Sequence, residues 1–356
     1  MTYAEFAARE AHDVSPAYER LSVAVSRDRE MIARLDTLPP AKRQPNLLFA
    51  AVRFLDGPVT DPGAFLAFAA GRWPEVAAEM LARATQTNEV GRCALLLPVL
   101  AELPQPLALL EIGASAGLNL FPDRYAYRYT DGRPGEGRTG EGKPGNARPG
   151  EGKPGNAQPG EGQPGEGQPG DARSGGDRAA DVRLGDGDPI LDCVLTGREP
   201  PAKLPEVVWR AGLDLHPRDI ADPADRRWLE SLIWPEHEHR RERLKAAALV
   251  AAADPPLLLT GDLVDDLPAL AERAPKDATL VVFHTSVLYQ VPEPRRKTFV
   301  DLVRRLPGHW VAVENPTIFE YDDLPNPPDQ TLHNVLALDG RPLAWCRPHG
   351  QGMAWF

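Results

Sequence analysis

Leu107-Ala-Leu-Leu-Glu-Ile112, followed by Gly113-Ala-Ser-Ala-Gly117 and Leu118-Asn-Leu-Phe121, is the stretch on which the reading of the chain turns. A short apolar run without alternation marks a strand buried on both faces, as in a parallel sheet. The glycines then allow a sharp backbone turn. Leu118 to Phe121 reads as the start of a helix. Strand, glycine turn and helix together open an α/β fold.

The pattern repeats downstream. Pro205 to Ala211 reads as a strand and exits through Gly212-Leu-Asp214. Asp222-Pro223 opens a helix through Trp228 and Leu232, with Asp as N-cap and Pro at the first helical position. A second helix restarts at Pro235 and runs to Ala253. Leu257 to Thr260 is a strand leaving through Gly261-Asp262, and Asp266 to Arg273 a short helix. Thr279 to Phe283 is a strand ending in His284-Thr-Ser286, and Glu293 to Leu306 a helix. Trp310 to Val313 leads into Glu314, and Val335 to Leu338 pairs with Leu343 to Trp345 across Asp339-Gly340, a strong hairpin turn. This alternation predicts a Rossmann-like, mostly parallel sheet with a C-terminal antiparallel hairpin.

Upstream, residues 1–104 read as a helical cap region. Thr2-x-x-Glu5 is a capping box, and Ser15-Pro16 and Asp61-Pro62 are helix starts. Arg92 to Leu100 is strongly apolar, and strand-like alternation is missing. Residues 105–356 form the α/β domain, interrupted by a repeat at 132–180. Between Gly132 and Gly176 there are 16 glycines and 7 prolines, half the 31 glycines of the 356-residue chain. Seven basic and seven acidic side chains cancel between Gly132 and Ala180, and large apolar residues are absent. Such a segment cannot offset its ordering entropy, so it reads as a disordered insertion in a surface loop. Tyr125 to Tyr129, just before it, alternates as a strand does.

Composition narrows the function classes. The net charge of −11 argues against broad nucleic-acid binding. A membrane-spanning run and a secretory leader are not found, and Cys93, Cys193 and Cys346 make neither a CxxC nor a disulfide framework. A cytoplasmic protein acting on a small molecule is the expectation. His237-Glu-His239 lacks metal-motif spacing, and Trp228, Trp234 and Trp310 read as core.

Glu111-Ile-Gly-Ala-Ser-Ala-Gly117 admits three readings. It fits the S-adenosylmethionine loop, acidic-x-Gly-x-Gly-x-Gly, at Glu111, Gly113 and Gly117, with Ser115 at the middle glycine. It also fits the GxSxG elbow of serine hydrolases, with Ser115 as nucleophile and Asp262 and His284 or His349 following in order. It also fits a close-packed turn without chemistry. The cofactor reading is preferred, because acidic residues close the later strands. Asp214 would hold a ribose, Asp262 would lie by an adenine, and His284 would be the candidate general base.

The motifs are also recognisable as a set. Leu110-Glu-Ile-Gly-Ala-Ser-Ala-Gly-Leu-Asn119, Asp123-Arg-Tyr125, Arg210-x-Gly-Leu-Asp-Leu-His-Pro217, Arg227-Trp-Leu229, Trp234-Pro-Glu236, Gly261-Asp262, Val282-Phe-His-Thr285 and Pro348-His-Gly350 follow in order. The chain thereby resembles a bacterial family catalogued only as a domain of unknown function, DUF2332. The resemblance implies a methyltransferase-like fold and no established activity. The function expected is a methyltransferase-like protein using S-adenosylmethionine on an unidentified small molecule. The alternatives are a serine hydrolase using Ser115 and a non-enzymatic binding relative of the same fold.

Overall fold

The structure is a computed structural model that describes residues 1–86, 88–132 and 181–356. The glycine- and proline-rich repeat called disordered above lies outside the described residues.

Among the described residues, eleven strands form one sheet. They are β1 (Leu107–Ile112), β2 (Ala126–Asp131), β3 (Val182–Leu184), β4 (Ile190–Thr196), β5 (Val207–Asp214), β6 (Leu257–Thr260), β7 (Thr279–Thr285), β8 (His309–Glu314), β9 (Asn334–Leu338), β10 (Arg341–Cys346) and β11 (Gly352–Trp355). Their order is β3-β2-β4-β11-β10-β9-β8-β7-β1-β5-β6. The block β6-β5-β1-β7-β8 is parallel throughout. Here the chain winds outward from β1 through β5 to β6, then returns to the other side of β1 as β7 and β8. The order therefore reverses at β1, as in Rossmann-like sheets.

The expected hairpin is present as β9–β10, antiparallel. It does not end the sheet. β11 pairs antiparallel with β10 and parallel with β4, which joins β2 and β3 to the far edge. Tyr129 in β2 pairs with Val182 in β3, so the chain on either side of the repeat is held together by a ladder.

Burial explains why β1 reads as an unbroken apolar run. Leu107 and Leu109 enter a core with helices Cys93–Leu100 and Glu238–Ala253. Ala108, Leu110 and Ile112 enter another core on the opposite face, with helices Leu267–Ala271 and Glu293–Val303.

The N-terminal region is helical, as its caps require. Thr2 and Glu5 make the reciprocal capping box, Ser15 Oγ accepts from Tyr18 N at 3.1 Å, and Asp61 Oδ1 accepts from Ala64 N at 2.7 Å. These helices have their own core around Tyr18, Phe49 and Phe65, and Trp228 of helix Pro223–Leu232 is buried in it. Burying that indole fully is worth roughly 3–5 kcal/mol against truncation. It ties the helical region to the loop after β5. The helix expected to restart at Pro235 begins at Glu238 instead, because Trp234 to His237 form a turn closed by His237 N to Trp234 O at 3.0 Å.

Candidate functional site

A cleft of about 350 Å³ lies over the carboxyl ends of β1, β5, β6 and β7, with residues 84–86 and Arg92 of the helical region on its wall. Its size is within the roughly 300–1,000 Å³ of small-molecule sites. Its position is the crevice that forms where strand order reverses.

The turn after β1 makes the floor. Gly113, Ser115 and Gly117 have φ of 69°, 50° and 69°. A Cβ on Gly113 would lie 2.6 Å from Val287 Cγ2, so only glycine fits there. Ser115 is held in its left-handed conformation from both sides. Its N–H donates to Asp214 Oδ2 at 2.8 Å, and its carbonyl accepts from Arg218 N at 3.0 Å. A non-glycine residue in this region must be over-determined by its surroundings.

The helix expected from Leu118 does not form. Leu118–Leu120 is a single 3₁₀ turn. The carbonyl of Leu118 would need an N–H from residue 122, which is proline and has none. Tyr125 Oη donates to that carbonyl instead, at 2.7 Å. The Arg210 guanidinium takes the Leu120 carbonyl at 2.7 Å. The cleft is therefore not faced by a helix N-terminus at this turn.

Asp214 ends β5 on the cleft wall. Its Oδ1 accepts from His216 N at 2.8 Å and from Gln86 Nε2 at 2.9 Å. Asp262, after β6, also lines the cleft. It accepts from Val264 N at 2.7 Å and pairs with Arg295, which also bonds Asp265 at 2.8 Å. Partial burial raises the Asp262 carboxyl, but these donors outweigh it and leave it below its ordinary value. The cleft thus brings together Gly113, Ser115, Asp214 and Asp262.

Glu111 lies behind the turn and does not line the cleft. Its Oε1 accepts from Asn119 Nδ2 at 3.0 Å, and its Oε2 has no partner. Burial pushes its carboxyl up to about 8, with Asn119 and Arg92 pulling the other way. Gly117 packs against Leu258 and Pro256 below the cleft.

His284 is not placed to act as the expected general base. It is fully buried. Its Nε2 accepts from Trp310 Nε1 at 2.9 Å, and its Nδ1 lies 2.7 Å from Glu314 Oε1. An indole N–H can only donate, so Nε2 is unprotonated and Nδ1 carries the proton. Both ring nitrogens are committed. The same Glu314 oxygen accepts from Val287 N at 2.8 Å and Leu288 N at 3.1 Å. The chain of Trp310, His284 and Glu314 holds the turn after β7, where Ser286 has φ of 56°. His284 therefore positions the cleft wall from within the core.

Nor is the elbow geometry of a serine hydrolase assembled. Ser115 Oγ is buried and makes no hydrogen bond, so it has no histidine partner among the described residues. His349 lies in a different cluster, with Nδ1 3.9 Å from Glu89 Oε2. Glu89 is buried between Arg240 Nε at 2.5 Å and Arg243 Nη2 at 2.8 Å. Burial alone would raise its carboxyl, but the two guanidinium groups together bring it down to about 2. Burial and Arg240 likewise hold His349 down at about 3.

Arg92 is the functional candidate that sequence reasoning missed, because it opens a strongly apolar stretch. It lines the cleft while only 7% exposed. Its Nε donates to the Pro348 carbonyl at 2.9 Å and its Nη1 to the Thr285 carbonyl at 2.8 Å. Its Nη2 makes no hydrogen bond among the described residues. Gln86 and Arg295 were likewise not singled out. Gln86 follows helix Trp73–Ala82 and Arg295 lies in the first turn of helix Glu293–Val303, where a polar residue is ordinary.

A family model matches residues 1–355, so the chain belongs to the family described as an uncharacterized protein conserved in bacteria, DUF2332. No curated protein and no solved structure matches it. Among the described residues, no helix is long and apolar enough to cross a membrane.

Proposed function

We propose that the cleft binds S-adenosylmethionine and that the protein is a methyltransferase acting on a small molecule. The observation that carries this reading is the convergence of three consecutive strand exits on one cleft. These are the Gly113–Gly117 turn after β1, Asp214 after β5 and Asp262 after β6. The parallel block around β1 has the strand order expected of such a Rossmann-like core.

The residues fit the group. Asp214 would accept from the ribose hydroxyls, since a carboxylate has about four acceptor sites and three donors already use some of them. Gly113 lets Val287 close against the turn and keeps the floor of the cleft free of a side chain at this position. Ser115 Oγ, buried and without a partner, is a polar atom that a ligand would satisfy. Asp262 and Leu263 would flank the adenine. When bound, the cofactor supplies an electrophilic methyl group. The chain's contribution is to orient that group and to exclude water, which is where most of the rate in such transfers arises.

Calorimetry with S-adenosylmethionine tests the reading. Wild type is expected to bind, and Asp214→Ala to lose at least roughly tenfold in affinity, the worth of one to two charge-assisted hydrogen bonds. Absence of binding by wild type sinks it.

A further inference from the structure

We propose that the β7 side of the cleft is a carboxylate site with Arg92 as its anchor. This inference rests on the reading of the cleft as a cofactor site and extends it to the ligand's charged tail.

The cleft is electrically two-sided. β1 divides it, because the sheet order runs β6-β5-β1-β7. Asp214 and Asp262 stand at the exits of β5 and β6, on one side. Arg92 stands on the other, bonded to Thr285 at the exit of β7 through both the carbonyl and, at 3.2 Å, Oγ1. The second arginine of the cleft, Arg295, is already met by Asp262 and Asp265. Arg92 has no carboxylate in hydrogen-bonding or ion-pair contact among the described residues. The buried acids whose charge reaches it are engaged elsewhere, Glu89 by Arg240 and Arg243, and Glu314 by His284 and two backbone N–H groups.

A guanidinium is retained in a buried place only when its charge is compensated. Nε and Nη1 are fixed on two backbone carbonyls, which sets the plane of the fork. Nη2 is left over, on a residue that borders the cleft. A fixed fork with an open donor is suited to a carboxylate oxygen. An adenosine held at Asp214 and Asp262 would leave the Gly113 turn and the β7 exit, both on the cleft wall, to take up its amino-acid tail. The carboxylate of that tail is the group that would reach Arg92. The Thr285 hydroxyl accepts from Nη1 of the same guanidinium at 3.2 Å.

The test compares two ligands that differ by one carboxylate, S-adenosylmethionine and its decarboxylated form, by calorimetry at constant ionic strength. Wild type should bind the carboxylated ligand roughly 10- to 100-fold more tightly, the worth of one hydrogen bond to a charged group. Arg92→Met should erase the difference, and Arg92→Lys should keep part of it. The wild-type comparison needs no variant, so a poorly folded Arg92→Met does not spoil it. Equal binding of both ligands by wild type overturns the anchor and leaves the cofactor reading standing. If wild type binds neither, the cofactor reading fails, and acetate decides the anchor alone. Saturable thermal stabilisation by acetate over matched chloride, weakened in Arg92→Lys and lost in Arg92→Met, upholds a carboxylate site for another ligand. No acetate effect overturns it.

Discussion

Glu89 and Glu111 are both buried carboxyls close to Arg92, and their surroundings treat them in opposite ways. Glu89 sits between two guanidinium groups and its carboxyl falls to about 2. Glu111 has one neutral amide for company and its carboxyl rises to about 8. Burial raises both. What differs is the neighbouring charge, and it decides the sign. One region is a closed ion cluster that joins the helical region to helix Glu238–Ala253 and to the turn at His349. The other is a neutral acid beneath the turn that floors the cleft.

The largest effect should come from breaking the first. Glu89→Gln leaves Arg240 and Arg243 without their buried counter-charge. It should cost roughly 3–5 kcal/mol in urea unfolding. The native carboxyl lies below its unfolded value of 4.5, so its stabilisation is present above that pH and is lost as pH falls toward about 2. The variant should therefore also lose much of the wild type's acid limb. A cost under about 1 kcal/mol, as at an exposed pair, would remove the contrast.

Glu111→Gln probes the second region and works at the opposite end of the pH scale. Here the native carboxyl is raised, so stability is full below 4.5 and is lost as pH rises through about 8. Wild type should lose up to about 1.4 kcal/mol per pH unit from this group across that window. The variant should be flat there, measured by unfolding between pH 5 and pH 8 in about one-unit steps. An unchanged slope would mean that Glu111 is ionised in the native protein.

Asn119→Ala should have the smallest effect. It removes the one hydrogen bond to Glu111, at roughly 1 kcal/mol. That bond favours the ionised carboxyl, so its loss should carry the alkaline limb to higher pH. A shift to lower pH would show that Asn119 instead stabilises the protonated form.

The parallel block was legible because its strands are buried on both faces and carry no alternation to obscure them. Asp214 and Asp262 were legible because strand exits in such sheets gather polar residues. Three strands were not. β3 has three residues and β11 has four, too short for a periodic signal. β4 does alternate, with Leu191, Cys193 and Leu195 buried, but its outward Asp192 breaks the continuous apolar run that marks the strands of the parallel block. The apolar spacing after Gly117 suits a helix, but Pro122 denies the Leu118 carbonyl its N–H and one 3₁₀ turn forms instead. His284 looked catalytic from its strand-end position. Only tertiary packing shows that Trp310 and Glu314 claim both its nitrogens. Arg92 was hidden for the converse reason, being one cation at the head of an apolar helix.

β11 gives the sheet a timetable. Among the described residues, 352–355 are the one strand that joins the β3-β2-β4 block to the rest of the sheet. Until they emerge from the ribosome, β4 and β10 each present an open edge, and the two blocks share a core but no ladder. Unpaired edges are templates for pairing with other chains. A nascent chain stalled before Gly352 would be most exposed to misassembly at the moment when nearly all of its core residues had already been made.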